Sequence, residues 1–365
     1  MTESDWGKRG DMIVHESSPF NAEAPRSALA VADITPVDTF YARNHGPIPD
    51  IAADDWRLTV GGLVDHPLVL SFEDLTTRFP THTVVATLQC AGNRRAGFND
   101  VRPIVGEDPW GPGATSTAEW HGVRLADVLT AAGVRPRDGL HVAFCAPDRS
   151  KLATPPQPYG GSIPLDKALS DEVLLSWQMN SRPLARPHGA PVRVVVPGYI
   201  GARSVKWVTD IRVQDSPSDN YFQSTAYHIL PADVDPDTAE PHTGFPLTSV
   251  ALNCEILEPD DGRSVAAGPL TISGYAFAGD DRRITRVDVS LDRGENWRQA
   301  ILGRDLGPWA WQFWSLTAEV EPGPLTITAR AWDSTGASQP ESAASLWNPN
   351  GYANNSWASV TVAAR

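Results

Sequence analysis

From about residue 245 onward the sequence is a train of short alternating strands separated by turn clusters, and no other feature constrains the fold as much. The strands are Thr248 to Leu257, Leu270 to Phe277, Arg286 to Leu291, Trp309 to Ala318, Leu325 to Trp332, and Trp357 to Ala363. Between them stand Pro259-Asp260-Asp261-Gly262, Gly279-Asp280-Asp281, Asp292-Arg293-Gly294-Glu295-Asn296 and Asp333-Ser334-Thr335-Gly336. A period of two sends one face of each strand into a core and the other into water. Regular spacing of such strands predicts an immunoglobulin-like β-sandwich over 245–365. A sandwich does no chemistry of itself, so its expected role is structural or dimer-forming.

The preceding part mixes helix and strand signals, so the whole chain reads as α+β. Residues 1–35 show little periodicity and are expected to wrap over the surface as an extension. Ser71, with Glu73 and Asp74 behind it, caps a short helix ending near Phe79-Pro80. Thr83 to Leu88 is a β-branched run. Arg124 to Ala132 reads as a helix closed by Gly133. His141 to Phe144 and Val192 to Val196 read as strands, the second buried. The Pro-, Asp- and Ser-rich stretch from Gln214 to Gly244 is expected to link a mixed α/β domain at 36–244 to the sandwich.

Charge narrows the function classes. With 44 acidic residues against 30 basic ones, the formal net charge is −14. That disfavours nucleic acid or an anionic membrane surface as partner. An anion-binding site in such a chain has to be a local basic focus. The three cysteines, Cys90, Cys145 and Cys254, are far apart and form no CxxC pair, which suits a reducing compartment better than a disulfide scaffold. The N-terminus lacks a basic start followed by an apolar core, and no stretch is apolar enough to span a bilayer. A cytoplasmic location is the expectation.

Leu88-Gln89-Cys90-Ala91-Gly92-Asn93-Arg94-Arg95 carries the sharpest chemical signal. A thiolate is the form that binds metals, and guanidinium charge nearby lowers a thiol's pKa. Gly92 and Asn93 suit a tight bend. Arginine forks match oxyanions. Cys90 is therefore a candidate soft metal ligand beside an anion clamp, with a buried structural cysteine as the plain alternative.

Several ordered segments resemble the sulfite oxidase family of molybdenum-pterin enzymes. They are Phe40-Tyr41-Ala42-Arg43-Asn44-His45-Gly46-Pro47-Ile48-Pro49, the Cys90 motif, Gly113 to Trp120, Tyr159 to Leu165, His188 to Gly198, Gly201 to Trp207, and in the sandwich Val287 to Asp292 and Trp347-Asn348. The resemblance implies a molybdopterin-binding domain of that type followed by a dimerisation domain, and so a homodimer. It also implies a molybdenum held by Cys90 and one pterin dithiolene. Carried over position by position, pterin binding falls on Tyr41, Ala42, Arg43, Asn44, His45, Asp148, His188, Arg193, Ser204, Val205 and Lys206. Arg193 and Lys206 would neutralise a terminal phosphate, and Asp148 would accept from the pyrimidine edge. Read alone, Asp148 also fits the start of a turn, and His45 and His188 also fit ordinary buried polar roles. An Arg193 inside a buried strand calls for an anionic partner.

By the same resemblance, a small oxyanion substrate would sit among Arg43, Arg95, Trp110 and Tyr227. Arg43 and Arg95 would bond it, Tyr227 would assist proton movement, and Trp110 would wall the site. Trp110 fits a core aromatic role nearly as well. Three departures bear on the substrate. Asn350 stands where the family has a further arginine, Val105 where a lysine is expected, and Ala226 precedes Tyr227 where an Asp is common. The implied reaction is oxygen-atom transfer, with sulfite oxidation first. Reduction of nitrate or an S-oxide is the alternative, and a molybdopterin carrier without turnover comes from a different class. No CxxCH or other haem-like segment is present, so the expected electron acceptor is external, a cytochrome or dioxygen.

Overall fold

The computed structural model describes residues 6–153 and 155–365. Its first strands, β1 (Ile13–Ser17) and β2 (Phe20–Glu23), form an antiparallel hairpin. Residues 20 to 23 are all buried, which corrects the expectation of a loose surface wrap over 1–35. The cause lies in distant partners. Ala22 exchanges two backbone hydrogen bonds with Ala42 at 2.8 and 2.9 Å. The Glu23 carboxylate accepts from the backbone N–H of Gly111 at 2.7 Å and of Gly113 at 2.9 Å. A buried carboxylate is tolerated when hydrogen bonds replace its water.

Ten strands follow: β3 (Arg57–Gly62), β4 (Leu68–Ser71), β5 (Thr81–Gln89), β6 (Thr115–Arg124), β7 (His141–Ser150), β8 (Gln157–Pro164), β9 (Leu174–Met179), β10 (Arg182–Pro183), β11 (Arg193–Val195) and β12 (Asp210–Gln214). One sheet runs β10-β9-β6-β5, with β11 also on β9, and the other runs β4-β3-β12-β7-β8. Strand β12 is parallel to β3 and antiparallel to β7, so this part of the fold is mixed. The helix Phe72–Arg78 is capped by Ser71 as expected, and the cap is a reciprocal capping box with Asp74. Ser71 Oγ accepts from Asp74 N–H at 3.0 Å, and Asp74 accepts from Ser71 N–H at 2.9 Å, which satisfies two orphan donors at once. The helix Leu125–Ala131 buries Leu125, Val128 and Leu129, and Gly133 follows it at φ +75°. Among the described residues no helix is long and apolar enough to cross a membrane.

After the short pair β13 (His228–Ile229) and β14 (Phe245–Pro246), the second part contains β15 (Asn253–Glu258), β16 (Ser264–Val265), β17 (Gly268–Phe277), β18 (Ile284–Ser290), β19 (Arg298–Gln299), β20 (Ile301–Leu302), β21 (Gln312–Val320), β22 (Gly323–Asp333) and β23 (Ala358–Ala364). The orders are β15-β17-β21-β20 and β16-β23-β22-β18-β19. Both sheets feed one core that includes Cys254, Ile256, Ile272, Val287, Ile327 and Val360. The first of these strands begins at Asn253, not Thr248. Thr248 and Val250 instead pair with the first part, where Thr248 C=O accepts from Ile200 N–H and Val250 N–H donates to Gly198 C=O.

Arg94 joins the two parts. Its guanidinium pairs with buried Glu255 at 3.0 Å and donates to Ser356 C=O at 2.7 Å and Asn253 Oδ1 at 3.0 Å. Its charge is thus absorbed at the junction, not offered to an anion beside Cys90.

Candidate active site

Strand β5 delivers Cys90 to the end of its sheet. The Cys90 N–H donates to Ala114 C=O at 2.9 Å, and its own C=O accepts from Asn93 N–H at 3.0 Å, which closes the turn. The left-handed residue of this turn is Arg94, at φ 65°, not Gly92 or Asn93. Gly92 is needed for another reason: a Cβ there would lie 2.7 Å from a guanidinium nitrogen of Arg95. Burial pushes the Cys90 thiol above its ordinary pKa, and the opposing pull of Arg43, Arg95 and the Gly92 N–H does not overcome it. The guanidinium charge alone therefore does not produce a thiolate. A bound metal would displace the proton.

Cys90 opens on a cavity with about 640 Å³ of free space, mouth included. Of the residues named from the sequence, Tyr41, Ala42, Arg43, Asn44, His45, Cys90, Asp148, His188, Arg193, Ser204, Lys206 and Tyr227 line it. Val205 does not. Its side chain is buried in the main core, while its C=O accepts from Val194 N–H at 2.8 Å and so holds the strand beside the cavity.

Charge in this cavity is lopsided. Arg43, Arg193 and Lys206 face one carboxylate, Asp148. Arg193 donates to the carbonyls of His188 at 3.0 Å and Ser204 at 2.9 Å, and its guanidinium lies 5.0 Å from the Trp120 ring centre. Desolvation lowers its pKa to about 10. Lys206 donates to Asn44 Oδ1 and to the carbonyls of Arg43 and Pro187, both at 2.9 Å. Burial first, and Arg193 second, hold its pKa well below the usual lysine value, against the pull of Asp148. Asp148 lies within β7, not at the start of a turn. Burial pushes its carboxyl up to about 6, with Lys206 opposing, and its Oδ1 has no hydrogen-bond partner. Buried polar atoms are rarely left so.

Two further features shape the cavity. A Cβ at Gly201 would stand 2.7 Å from the Tyr41 hydroxyl. Lys8, which has no local sequence signal, backs the lining residue His188 from the N-terminal segment, with its Nζ 2.7 Å from His188 Nε2, and donates to Val37 C=O at 2.7 Å and Phe40 C=O at 2.6 Å. Burial lowers its pKa to about 7. The donors and the surplus of cations fit an anionic pterin: an orphaned carboxylate for its N–H groups, and Arg193 with Lys206 for a phosphate.

Beyond Arg43, His45 and Tyr227 the cavity meets an open vestibule also lined by Glu107, Trp347, Asn350 and Tyr352. The Tyr227 hydroxyl lies 2.5 Å from His45 Nε2. Burial, reinforced by Arg43 and Lys206, keeps the His45 imidazole neutral. Tyr227 itself is held in the left-handed region at φ 44°. Burial raises its phenol pKa above the ordinary value.

The other two residues expected around a substrate are placed differently. Trp110 lies in the apolar layer with Phe40, Leu88 and Cys90 and lines neither the cavity nor the vestibule. Its ring meets His15 edge-on at 4.7 Å, and its Nε1 has no partner. Arg95 lies behind the vestibule wall, paired with Glu107 at 3.0 Å. Sequence reasoning missed Glu107, which stands in the loop between Val105 and Pro109. It also missed Tyr159, whose ring stacks on His45 at 4.5 Å.

Fold and site together define a molybdopterin-binding oxidoreductase with a second, all-β part. Residues 45–222 match the oxidoreductase molybdopterin binding domain, and residues 246–365 match the Mo-co oxidoreductase dimerisation domain. The chain is 43% identical to chicken sulfite oxidase over 94% of this chain and 76% of that protein. It is 42% identical to the mitochondrial sulfite oxidase of rat, over 96% of this chain and 65% of the rat protein. The sulfane dehydrogenase SoxCD of Paracoccus pantotrophus superposes with a TM-score of 0.81 at 29% identity, covering 98% of this chain and 90% of that one. The chain belongs to the sulfite oxidase family of molybdenum-pterin oxidoreductases.

Proposed function

We propose that this chain oxidises sulfite to sulfate and passes the electrons to an external acceptor, a cytochrome or dioxygen. The observation that carries this reading is the cavity in which Cys90, Arg43 and the Tyr227–His45 pair converge beside a cationic cofactor cradle. When bound, the molybdenum-pterin group supplies two-electron oxygen-atom transfer. Cys90 supplies the protein thiolate that ligates it. Asp148, His188, Arg193 and Lys206, with Tyr41, Ala42, Asn44 and the Ser204–Val205 backbone, hold and orient the pterin. Arg43 lines both the cavity and the vestibule, so it binds the oxyanion at their junction. Tyr227 moves or holds a proton at its hydroxyl, with neutral His45 accepting from it. Arg95 supports the anion site from behind, and Trp110 backs the Cys90 layer.

The division at 36–244 and 245–365, an immunoglobulin-like topology for the second unit, homodimer formation through it and a cytoplasmic location belong to the same reading. The dimerisation-domain match supports the dimer. Steady-state assays of metal-loaded protein with sulfite and an artificial acceptor, beside nitrate and S-oxides with a reduced dye, test the activity. Sulfite turnover is expected. Turnover of nitrate or an S-oxide alone would replace this reading, and no turnover of any substrate would leave a carrier.

A further inference from the structure

We propose that Glu107 is a built-in counter-ion for Arg95 and sets the charge preference of the oxyanion subsite. The inference rests on the reading of this site as an oxyanion site. Arg95 is 2% exposed, and glycine on both sides leaves room for it: a Cβ at Gly92 would lie 2.7 Å from its guanidinium, and one at Gly351 would lie 2.6 Å from its Cγ. Its Nε donates to Asn350 C=O at 3.0 Å, and one terminal nitrogen donates to Asp108 C=O at 2.9 Å. That same nitrogen pairs with the Glu107 carboxylate at 3.0 Å.

Glu107 differs from its partner in exposure. Its side chain is 30% exposed and lines the vestibule, whereas Arg95 lines neither the vestibule nor the cofactor cavity. An incoming oxyanion meets a carboxylate where it would otherwise meet a guanidinium fork. The two neighbouring positions where a further cation was expected bring none. Asn350 is neutral and donates its side-chain amide to His228 C=O at 3.2 Å. Val105 brings no charge and is 86% exposed. Of the vestibule's lining residues, Arg43 is the one standing cation, set against Glu107, Asp235 and Asp237. Like charges across a binding site penalise the partner that carries more of them. The arrangement disfavours a dianion and favours a singly charged or neutral sulfur–oxygen substrate.

Inorganic sulfate is a stable dianion that reads the subsite without turnover. Its dissociation constant is measured by calorimetry on the full, molybdopterin-loaded chain, for the wild type, Glu107→Gln and Asp237→Asn. Asp237 is exposed and carries the same charge in the same vestibule without touching Arg95. Glu107→Gln is expected to bind sulfate about tenfold tighter, with Asp237→Asn within about twofold of the wild type. Glu107→Ala removes the side chain altogether and should give the same gain if the Gln variant disturbs the loop. An unchanged affinity in both Glu107 variants, or an equal gain in Asp237→Asn, overturns the proposal. In sulfite turnover the gain should fall on KM more than on kcat. A sulfate gain without sulfite turnover in any variant would uphold the counter-ion and defeat the sulfite reading instead.

Discussion

The Tyr227 hydroxyl and His45 Nε2 stand 2.5 Å apart in an aromatic cage. Tyr159 stacks on the His45 ring at 4.5 Å, and Tyr352 stacks on the Tyr227 ring at 5.4 Å. In the tautomer that carries its proton on Nδ1, neutral His45 accepts from the phenol and fixes the hydroxyl's direction. Tyr227→Phe keeps the ring and the stacking but removes the only proton that side chain can move. Its kcat should fall by about 10²-fold, within the usual range for a lost acid–base group, while the melting temperature stays near that of the wild type. Steady-state kinetics with sulfite check this, and an unchanged kcat would remove Tyr227 from the proton path.

Asp148 makes stability depend on pH in a predictable direction. Burial raises its carboxyl to about 6, above the unfolded value. Its contribution is therefore fully present below the ordinary carboxyl range and is lost as the pH rises through about 6. In cofactor-free protein, Asp148→Asn should be the more stable form near neutral pH, by roughly 3 kcal/mol, and the gap should close at about pH 4. Thermal melts at the two pH values measure it. The same variant should retain less pterin on gel filtration, because the neutral amide is a weaker acceptor for pterin N–H groups.

Arg94 tests the junction between the two parts. It and Glu255 are both largely buried, with 3.0 Å between their charged groups. Arg26, 3.3 Å from the same carboxylate, remains as a second partner, so removing Arg94 should cost about 1.5–3 kcal/mol, as for a lost charge-assisted hydrogen bond, rather than the larger cost of a fully unpaired buried charge. Arg94→Met should shift the urea midpoint accordingly. A shift equivalent to less than about 1 kcal/mol would mean that Arg26 alone holds the Glu255 carboxylate.

The strand train after residue 245 and the helix cap at Ser71 are legible because both are local signals, one a period of two and the other a cap residue just ahead of an acidic first turn. The Cys90 motif likewise marks its own turn, although the left-handed φ falls on Arg94. What escapes is whatever depends on distant partners. Lys8 meets His188 across 180 residues, and nothing near Lys8 announces it. Glu23 is buried because Gly111 and Gly113 turn their N–H groups toward it. The two arginines after Cys90 look equivalent in the sequence. The fold sends Arg94 to Glu255 and Arg95 to Glu107, because each guanidinium is partnered by a carboxylate supplied from another loop or strand.

Molybdenum-edge X-ray absorption on the purified, loaded chain, beside Cys90→Ser, tests the central claim most directly. The account predicts molybdenum bound in the wild type, with the serine variant losing one sulfur neighbour and turnover while still holding pterin. An identical sulfur count in the two proteins, or no molybdenum in the wild type, would contradict it.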